Sequence, residues 1–273
     1  MSDSAAAAQH EPVVAARLRA AGCVFAEDEA RLLLSAAGTP AELEELVSRR
    51  VAGQPLEHLL GWAQFCGLRI AVGPGVFVPR PRTEFLVRHA AALARGTARP
   101  VIVDLCCGSG AIGAALAAAL QRSGRAPEQL HAADLDPAAV ACARRNLAPA
   151  GGQVHCGDLF EPLPAALAGQ VSILTANVPY VPAGEITLLP AESREHEPRL
   201  AVDGGPDGLD ILRRVSAGAP AWLAPAGYLL SEVSEQQAAT AAGIFRGNGL
   251  APRIVSSAGL AATIVTGQQP PAG

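Results

Sequence analysis

The spacing of apolar positions changes near residue 100. From residue 12 to residue 51 they recur at helical spacing, and Thr39-Pro40 followed by an acidic residue predicts a helix start. Beyond residue 100, apolar runs that predict strands alternate with helical segments; the runs are 101–104, 130–134, 153–156, 171–176 and 227–231. This alternation predicts an α/β fold with a mainly parallel, doubly wound sheet and right-handed crossovers. Runs at 253–255 and 262–265 are predicted to close the sheet as a hairpin.

A short β segment is predicted between the two patterns. Residues 64–70 and 76–78 alternate as two short strands around a turn at 72–75, and the Pro-Arg-Pro of residues 79–81 gives a stiff linker. Thr83 is predicted to cap a helix that runs to about residue 95. We therefore divide the chain into a helical module at residues 1–61, a hairpin and linker at 62–82, and the large domain at 83–273.

Composition excludes several chemistries. All 21 basic residues are arginine, so Schiff-base catalysis, a Walker lysine and a kinase lysine are absent. The net charge of −4 gives no electrostatic footprint for nucleic acid. Six cysteines form no C-x-x-C pair, so we interpret them as buried reduced thiols and predict no metal. With no basic leader and no apolar run long enough to span a bilayer, we expect a soluble cytoplasmic protein.

The apolar run 171–176 ends at a candidate site. Asn177 lies where open α/β sheets bind ligands, and Pro179 forces the chain to turn because proline has no N–H. The Asn177 amide, the Val178 carbonyl and the Tyr180 ring together could hold a planar amide or amine. A plain strand end with an Asn turn is the alternative.

The segment from Asp104 to Gly110 leaves a strand and enters a helix through a glycine-containing turn. Gly108-x-Gly110-x-x-Gly113 matches the dinucleotide fingerprint, so a nicotinamide oxidoreductase is one interpretation. Asp104 favours S-adenosylmethionine instead. Its carboxylate could reach that ligand's ammonium, whereas its negative charge would repel the pyrophosphate of a dinucleotide. Asp134 ends the next strand and could bind ribose hydroxyls of either cofactor.

The third strand ends in Gly157-Asp158-Leu159-Phe160. Asp158 could accept the adenine amino group, with Leu159 and Phe160 framing the ring; a capping aspartate beside a core phenylalanine is equally open. The glutamates at 185, 192, 195 and 197 could form a negative rim for a basic partner. Solvated loop charges are the commoner explanation of such a run.

The order and spacing of several motifs resemble the HemK/PrmC protein-glutamine N5-methyltransferases over about residues 10–267. The motifs are Gln54-Pro55-Leu56, Val78-Pro79-Arg80-Pro81-Arg82-Thr83-Glu84, Asp104-Leu105-Cys106-Cys107-Gly108-Ser109-Gly110, Gly157-Asp158-Leu159-Phe160, Asn177-Val178-Pro179-Tyr180, Glu197-Pro198-Arg199 and Gly204-Gly205-Pro206-Asp207-Gly208-Leu209-Asp210. The resemblance implies a class I, Rossmann-like, seven-stranded S-adenosylmethionine methyltransferase domain behind a helical bundle that docks a protein substrate. It also implies methylation of a glutamine side chain, notably in the Gly-Gly-Gln loop of peptide-chain release factors.

The resemblance also assigns site residues. The cofactor would lie against Asp104, Cys106, Cys107, Gly108, Ser109, Gly110, Asp134, Asp158, Leu159, Phe160 and Asn177. Asn177 and the Val178 carbonyl would each accept one amide N–H, Pro179 would fix the turn, and Tyr180 would pack along the substrate. We expect a monomer that binds neither membrane nor nucleic acid.

The sequence departs from the family pattern at three places: Val178 replaces the first proline of the usual Asn-Pro-Pro-Tyr, Cys106-Cys107 replaces small residues, and residues 258–263 lack the usual charges. An amino-methyltransferase of another protein, a nucleic acid or a small molecule therefore stays open. So do the oxidoreductase and a binding protein without catalysis.

Overall fold

The computed structural model describes residues 3–271, with side chains from residue 10 onward. It begins with four helices: α1 (Asp3–Ala20), α2 (Ala26–Ala36), α3 (Pro40–Val51) and α4 (Leu56–Leu60). Thr39 caps α3 as predicted, since its Oγ1 accepts from the Glu42 N–H at 3.2 Å and the Glu42 carboxylate accepts from the Thr39 N–H at 3.1 Å. The bundle has its own apolar core, in which Leu18 and Leu33 are fully buried.

A two-stranded hairpin follows, with β1 (Trp62–Phe65) and β2 (Leu68–Ala71). The predicted strand at 76–78 is wrong, and so is the hairpin turn at 72–75. Cys66 and Gly67 both adopt positive φ, which suits a two-residue hairpin turn and places the reversal earlier. Phe65 and Ile70 pack into the core beneath α5 (Glu84–Ala94) and α6 (Ala111–Arg122). The boundaries at residues 61, 62–82 and 83 stay a prediction.

The large domain is a seven-stranded sheet in the order β5-β4-β3-β6-β7-β9-β8. Its strands are β3 (Val101–Leu105), β4 (Gln129–Asp134), β5 (Gln153–Cys156), β6 (Val171–Ala176), β7 (Leu223–Val233), β8 (Ala251–Ser257) and β9 (Ala262–Gln268). The first five are parallel, and β9 runs antiparallel to both of its neighbours. The predicted doubly wound sheet with a closing hairpin is confirmed.

Helices cover both faces of the sheet. Strand residues that alternate along the chain divide between two cores, as the two faces of a pleated strand require. One core lies beneath α5 (Glu84–Ala94), α6 (Ala111–Arg122) and α7 (Pro137–Leu147), and the other beneath α10 (Asp210–Trp222) and α11 (Ala238–Gly247). The strand order reverses between β3 and β6, so their carboxyl ends flank the crevice where such sheets bind ligands.

Between residues 3 and 271, no helix is both long enough and apolar enough to cross a membrane. All six cysteines are free thiols, as predicted. Burial is confirmed for Cys107 and Cys142 and is wrong for Cys156, which is exposed.

Candidate functional site

A cavity of about 790 Å³ opens at the carboxyl edge of the parallel strands. Its floor is formed by residues that follow β3, β4, β5 and β6, and its sides come from the linker and from residues 189–203. The predicted site residues that line it are Cys106, Cys107, Gly108, Ser109, Asp134, Asp158, Leu159, Asn177, Val178, Pro179 and Tyr180. The topology thus brings most of the predicted residues to one place.

The glycine turn after β3 approaches the cavity through its backbone. Gly108 has a φ of 53°, and a Cβ built there would meet no described atom within 4 Å, so a ligand can approach the main chain closely. Gly110 has a φ of 76°, and its Cβ would come within 3.0 Å of Ala143, so it serves close packing onto α7. Buried Ser109 accepts at its carbonyl from Asn146 Nδ2 at 2.7 Å. Burial raises the pKa of the Cys106 and Cys107 thiols.

Asp134 holds this turn from the end of β4. Its Oδ2 accepts from the Gly108 N–H at 2.8 Å and its Oδ1 from the Asp136 N–H at 2.9 Å. Burial raises the pKa of this carboxyl. Each carboxylate oxygen has a second lone pair, so Asp134 can still accept from hydroxyl groups in the cavity. Asp136 caps α7, since its Oδ1 accepts from the Ala138 N–H at 2.8 Å.

Asp104 is placed differently from the expectation. It is fully buried and does not belong to the described lining of the cavity. Its Oδ1 accepts from Thr175 Oγ1 at 2.8 Å and its Oδ2 from the Gly113 N–H at 3.1 Å. Burial raises its pKa to about 7. In this structure Asp104 therefore ties β3 to β6 and to the start of α6, with the turn between it and the cavity.

The residues of the loop that follows β5 do not all face the cavity. Leu159 lines the cavity with a φ of 49°, and Asp158 Oδ2 accepts from Arg214 Nη2 at 2.7 Å. Phe160 points elsewhere: its ring stacks on Trp222 with centroids 5.6 Å apart and an interplanar angle of 14°. Phe160 is therefore a packing residue against α10, which was the alternative interpretation.

Asn177 and Val178 present free acceptors after β6. Asn177 Oδ1 is buried without a hydrogen-bond partner among the described residues. The neighbouring Val178 carbonyl accepts no main-chain hydrogen bond from residues 3–271, and Val178 as a whole residue is 2% exposed. Buried polar atoms in native proteins normally have partners, so an unpaired acceptor beside a cavity indicates a place for a ligand donor.

The segment Gly204–Gly208 braces this turn from behind. A Cβ at Gly204 would lie 2.6 Å from the Pro179 carbonyl oxygen, and one at Gly208 would lie 2.3 Å from the Tyr180 carbonyl oxygen. Gln237 Nε2 donates to that Tyr180 carbonyl at 2.8 Å. Gly204 and Gly208 are thus required by close packing against the Asn177–Tyr180 turn, whereas a Cβ at Gly205 would meet the Asp210 side chain instead.

Sequence reasoning missed a charged cluster beside Tyr180. The Tyr180 hydroxyl accepts from Arg82 Nη2 at 2.6 Å and donates to Glu232 Oε1 at 2.9 Å, and Arg82 Nε donates to the same oxygen at 3.1 Å. Burial raises the pKa of Tyr180. The available signal was a glutamate inside the apolar run of β7, where a buried charge needs partners.

Two of the four rim glutamates are not solvated loop charges. They lie in the segment that carries α8 (Ala191–His196) and α9 (Arg199–Val202), which borders the cavity. Glu192 pairs with Arg50 of α3 at 3.0 Å, and Glu197, only 7% exposed, pairs with Arg80 at 2.5 Å. These pairs connect the helical module and the linker to the wall of the cavity.

Comparisons with known proteins identify methyltransferases. Residues 68–186 match the methyltransferase small domain family. The chain is 41% identical to a release factor glutamine methyltransferase of Streptomyces coelicolor over 74% of this chain and 70% of that protein. It is also 37% identical to a 4-amino-L-phenylalanine/4-methylamino-L-phenylalanine methyltransferase of Streptomyces pristinaespiralis, over 77% and 71%. A ribosomal protein L11 methylase from Lactobacillus delbrueckii shares the fold at 14% identity and a TM-score of 0.51, over 74% and 85%.

The residues present fit S-adenosylmethionine. Gly108 leaves room for close approach, the Asp134 carboxylate lines the cavity with lone pairs free for hydroxyl donors, and unpaired Asn177 Oδ1 borders the same space. The nicotinamide oxidoreductase interpretation is wrong, because the relatives that match most of the chain are methyltransferases. The chain is therefore an S-adenosylmethionine-dependent methyltransferase, and it belongs to the HemK/PrmC family of the release factor glutamine methyltransferases.

Proposed function

We propose that this enzyme methylates the side-chain nitrogen of a glutamine in a protein, namely the Gly-Gly-Gln loop of a peptide-chain release factor. The observation that carries the proposal is the pair of free acceptors at Asn177 Oδ1 and the Val178 carbonyl. A primary amide has two N–H donors on one nitrogen, and two adjacent acceptors can hold both. Relatives at 37–41% identity named for this activity support the same substrate.

The chain's contribution to the reaction is orientation. An amide nitrogen is a poor nucleophile because its lone pair is delocalised into the carbonyl. S-adenosylmethionine supplies, when bound, a methyl group that its sulfonium has already activated. Asn177 and the Val178 carbonyl fix the direction of the amide nitrogen. Placement of this kind lowers a reaction barrier by roughly 7–11 kcal/mol. Valine at position 178 keeps the carbonyl that a proline would supply.

Three loops would hold the cofactor. Asp134 would accept from the ribose hydroxyls, and the turn at Gly108 would lie against the amino-acid portion. Leu135 and Leu159 line the cavity where they would hold the adenine ring, and Asp158, already paired with Arg214, would accept from its amino group. Asp104 acts indirectly, by holding the turn from below.

The N-terminal helices would dock the substrate protein. Val24 and Phe25, between α1 and α2, are 84% and 68% exposed, which suits a protein contact. The Arg50–Glu192 pair connects this bundle to the cavity wall. We further propose a monomer that acts in the cytoplasm, where release factors work, and that does not bind nucleic acid directly.

Asn177→Ala tests the assignment, with Asn248→Ala as the matched control. Asn248 donates to Ser216 and to the Ile244 carbonyl at the end of α11, away from the cavity lining. We expect Asn177→Ala to keep S-adenosylhomocysteine affinity by calorimetry and to lose turnover on a release factor, whereas Asn248→Ala keeps both. Full turnover by Asn177→Ala would exclude the role given to this side chain.

A second candidate substrate is the arylamine of a small amino acid. The 37% identity to the 4-amino-L-phenylalanine methyltransferase supports it, and Val178 is the departure that could accompany such a change. An arylamine also presents two N–H donors to the same acceptors. Competition between a release factor and 4-amino-L-phenylalanine for labelled methyl transfer separates the two candidates.

A further inference from the structure

Two buried, unpaired acceptor oxygens lie at the ends of neighbouring strands. Thr175 of β6 pairs with Leu230 of β7, so the register places Asn177 beside Glu232 two residues further on. Glu232 is 2% exposed, and its Oε2, like Asn177 Oδ1, has no hydrogen-bond partner among the described residues. Both residues line the main cavity.

The surroundings of Glu232 fix which oxygen is free. Oε1 accepts from Tyr180 at 2.9 Å and from Arg82 at 3.1 Å, so the carboxylate is oriented and its charge is partly balanced. Only Oε2 is left to accept from a ligand. An ionised carboxylate is an acceptor alone, so the missing partner must be a donor such as an N–H group.

We propose that Glu232 Oε2 accepts a hydrogen bond from the α-nitrogen of the residue whose side chain is methylated. The inference rests on the proposed function, since it takes Asn177 as the point that holds the side-chain nitrogen. Adjacent strands are about 4.8 Å apart. Asn177 and Glu232 therefore leave the sheet edge side by side, where the side-chain and main-chain nitrogens of one glutamine can meet both acceptors. Glu232 would thus fix the position of the substrate's main chain while Asn177 holds its side-chain amide.

A second cavity provides space for the main chain of the substrate beyond Glu232. It measures about 410 Å³, and Arg82, Tyr180 and Glu232 line both cavities. Small residues of β8, β9 and their connection form much of its wall, namely Ser256, Ser257, Ala258, Ala261, Ala262 and Thr263. These short side chains leave room for backbone passing the carboxylate.

The same α-nitrogen has two possible sources. In a protein it is a neutral main-chain N–H, and in a free amino acid it is an ammonium. Both donate to a carboxylate, so the contact applies to either substrate class. The experiment therefore includes a peptide arm and an amino-acid arm.

The test compares ligands with and without the donor. The peptide arm uses an acetylated peptide containing Gly-Gly-Gln and its ester analogue, in which oxygen replaces the glutamine α-nitrogen. Affinities are measured by calorimetry on the full chain with S-adenosylhomocysteine. We expect the ester to bind the wild-type protein about tenfold more weakly, since a hydrogen bond to a charged acceptor is lost.

Glu232→Gln removes the charge and keeps the shape. Arg82 Nε holds the remaining oxygen of the amide, so the side-chain NH₂ group faces the ligand donor. We expect the amide-to-ester ratio to fall to about one in Glu232→Gln and in Glu232→Ala. It should be unchanged in Glu128→Gln, an exposed glutamate at the opposite end of the sheet. Thermal denaturation confirms that each variant is folded.

The outcomes separate this inference from the proposed function. An unchanged ratio in the two Glu232 variants would overturn the inference even if the enzyme methylates glutamine. If neither peptide binds, 4-amino-L-phenylalanine is compared with its analogue lacking the α-amino group. A preference that depends on Glu232 would support the contact with the small amino-acid substrate. No preference in either arm would overturn the contact.

Discussion

Gly208→Ala should distort the Asn177–Tyr180 turn without removing a group that is proposed to contact a ligand. Gly208 has a φ of 76°, a conformation that costs an alanine about 1–2 kcal/mol. The new Cβ would also lie 2.3 Å from the Tyr180 carbonyl oxygen and 2.4 Å from Gln237 Nε2. Overpacking costs roughly 1–3 kcal/mol. Loss of the hydrogen bond from Gln237 to Tyr180 adds about 1 kcal/mol.

Gly124→Ala is the matched control. Gly124 has a φ of 73°, and its Cβ would meet no described atom within 4 Å, so this variant carries only the backbone strain. The difference between the two variants, about 2–4 kcal/mol, isolates the contact with the turn. It corresponds to roughly 5–10 °C in the midpoint of thermal unfolding.

The assay combines thermal unfolding with methyl transfer. We expect Gly208→Ala to lose turnover while it retains S-adenosylhomocysteine binding, because the displaced carbonyl belongs to Tyr180 and the cofactor loops lie on other strands. Gly124→Ala should keep full turnover. If the two variants lost equal stability and Gly208→Ala kept its activity, the bracing role of Gly208 would be refuted.

Three further perturbations follow from burial and backbone geometry. The pKa of Asp104 is raised from 3.8 to about 7, so the folded state binds more protons than the unfolded state between these values and stability falls as pH rises through them. Asp104→Asn should remove this slope, worth at most about 4 kcal/mol, in denaturant titrations from pH 4 to pH 8; an unchanged slope would contradict the burial argument. Burial lowers the pKa values of His131 and His155, whose ring nitrogens lie 3.0 Å apart, so stability present above pH 6.5 should be lost as pH falls. His131→Gln should reduce that loss, and an identical acid titration would exclude the pair as its source. Val178→Pro keeps the carbonyl acceptor, so kcat should change by less than about tenfold; a complete loss would show that Val178 contributes more than its carbonyl.

Local sequence patterns were sufficient to predict the position of a residue that directly follows or ends a buried strand. Asp134 and Asn177 each follow a buried apolar run, and parallel strands bring their carboxyl ends to one edge. The topology of the sheet then decides that these residues lie at the site, and the alternation of strands and helices predicts that topology. The same reasoning located Gly108 and Leu159.

Local patterns failed where a distant partner decides the role. Asp104 occupies the expected position, but Thr175, 71 residues away, takes one of its oxygens. Phe160 is adjacent to cavity-lining Leu159, yet Trp222 provides a better surface for its ring. Glu232 and Tyr180 are 52 residues apart, and nothing in either local sequence pairs them.

The hairpin error had a local cause that propensity does not reveal. Pro74 and two glycines made residues 72–75 the stronger turn signal, and Val76 does donate to the Gly73 carbonyl at 3.1 Å. The chain nevertheless reverses at Cys66, a non-glycine residue with positive φ. Packing of Phe65 and Ile70 into the core fixes that register.

The most direct test of the account is the chemical identity of the methylated atom. The purified enzyme, labelled S-adenosylmethionine and a release factor are incubated together, and the product is digested and sequenced by tandem mass spectrometry. We expect a single methyl group on the side-chain nitrogen of the glutamine in the Gly-Gly-Gln loop, absent when Asn177 is alanine. A methyl group on any other atom of the release factor, or no methyl transfer to it, would contradict the account.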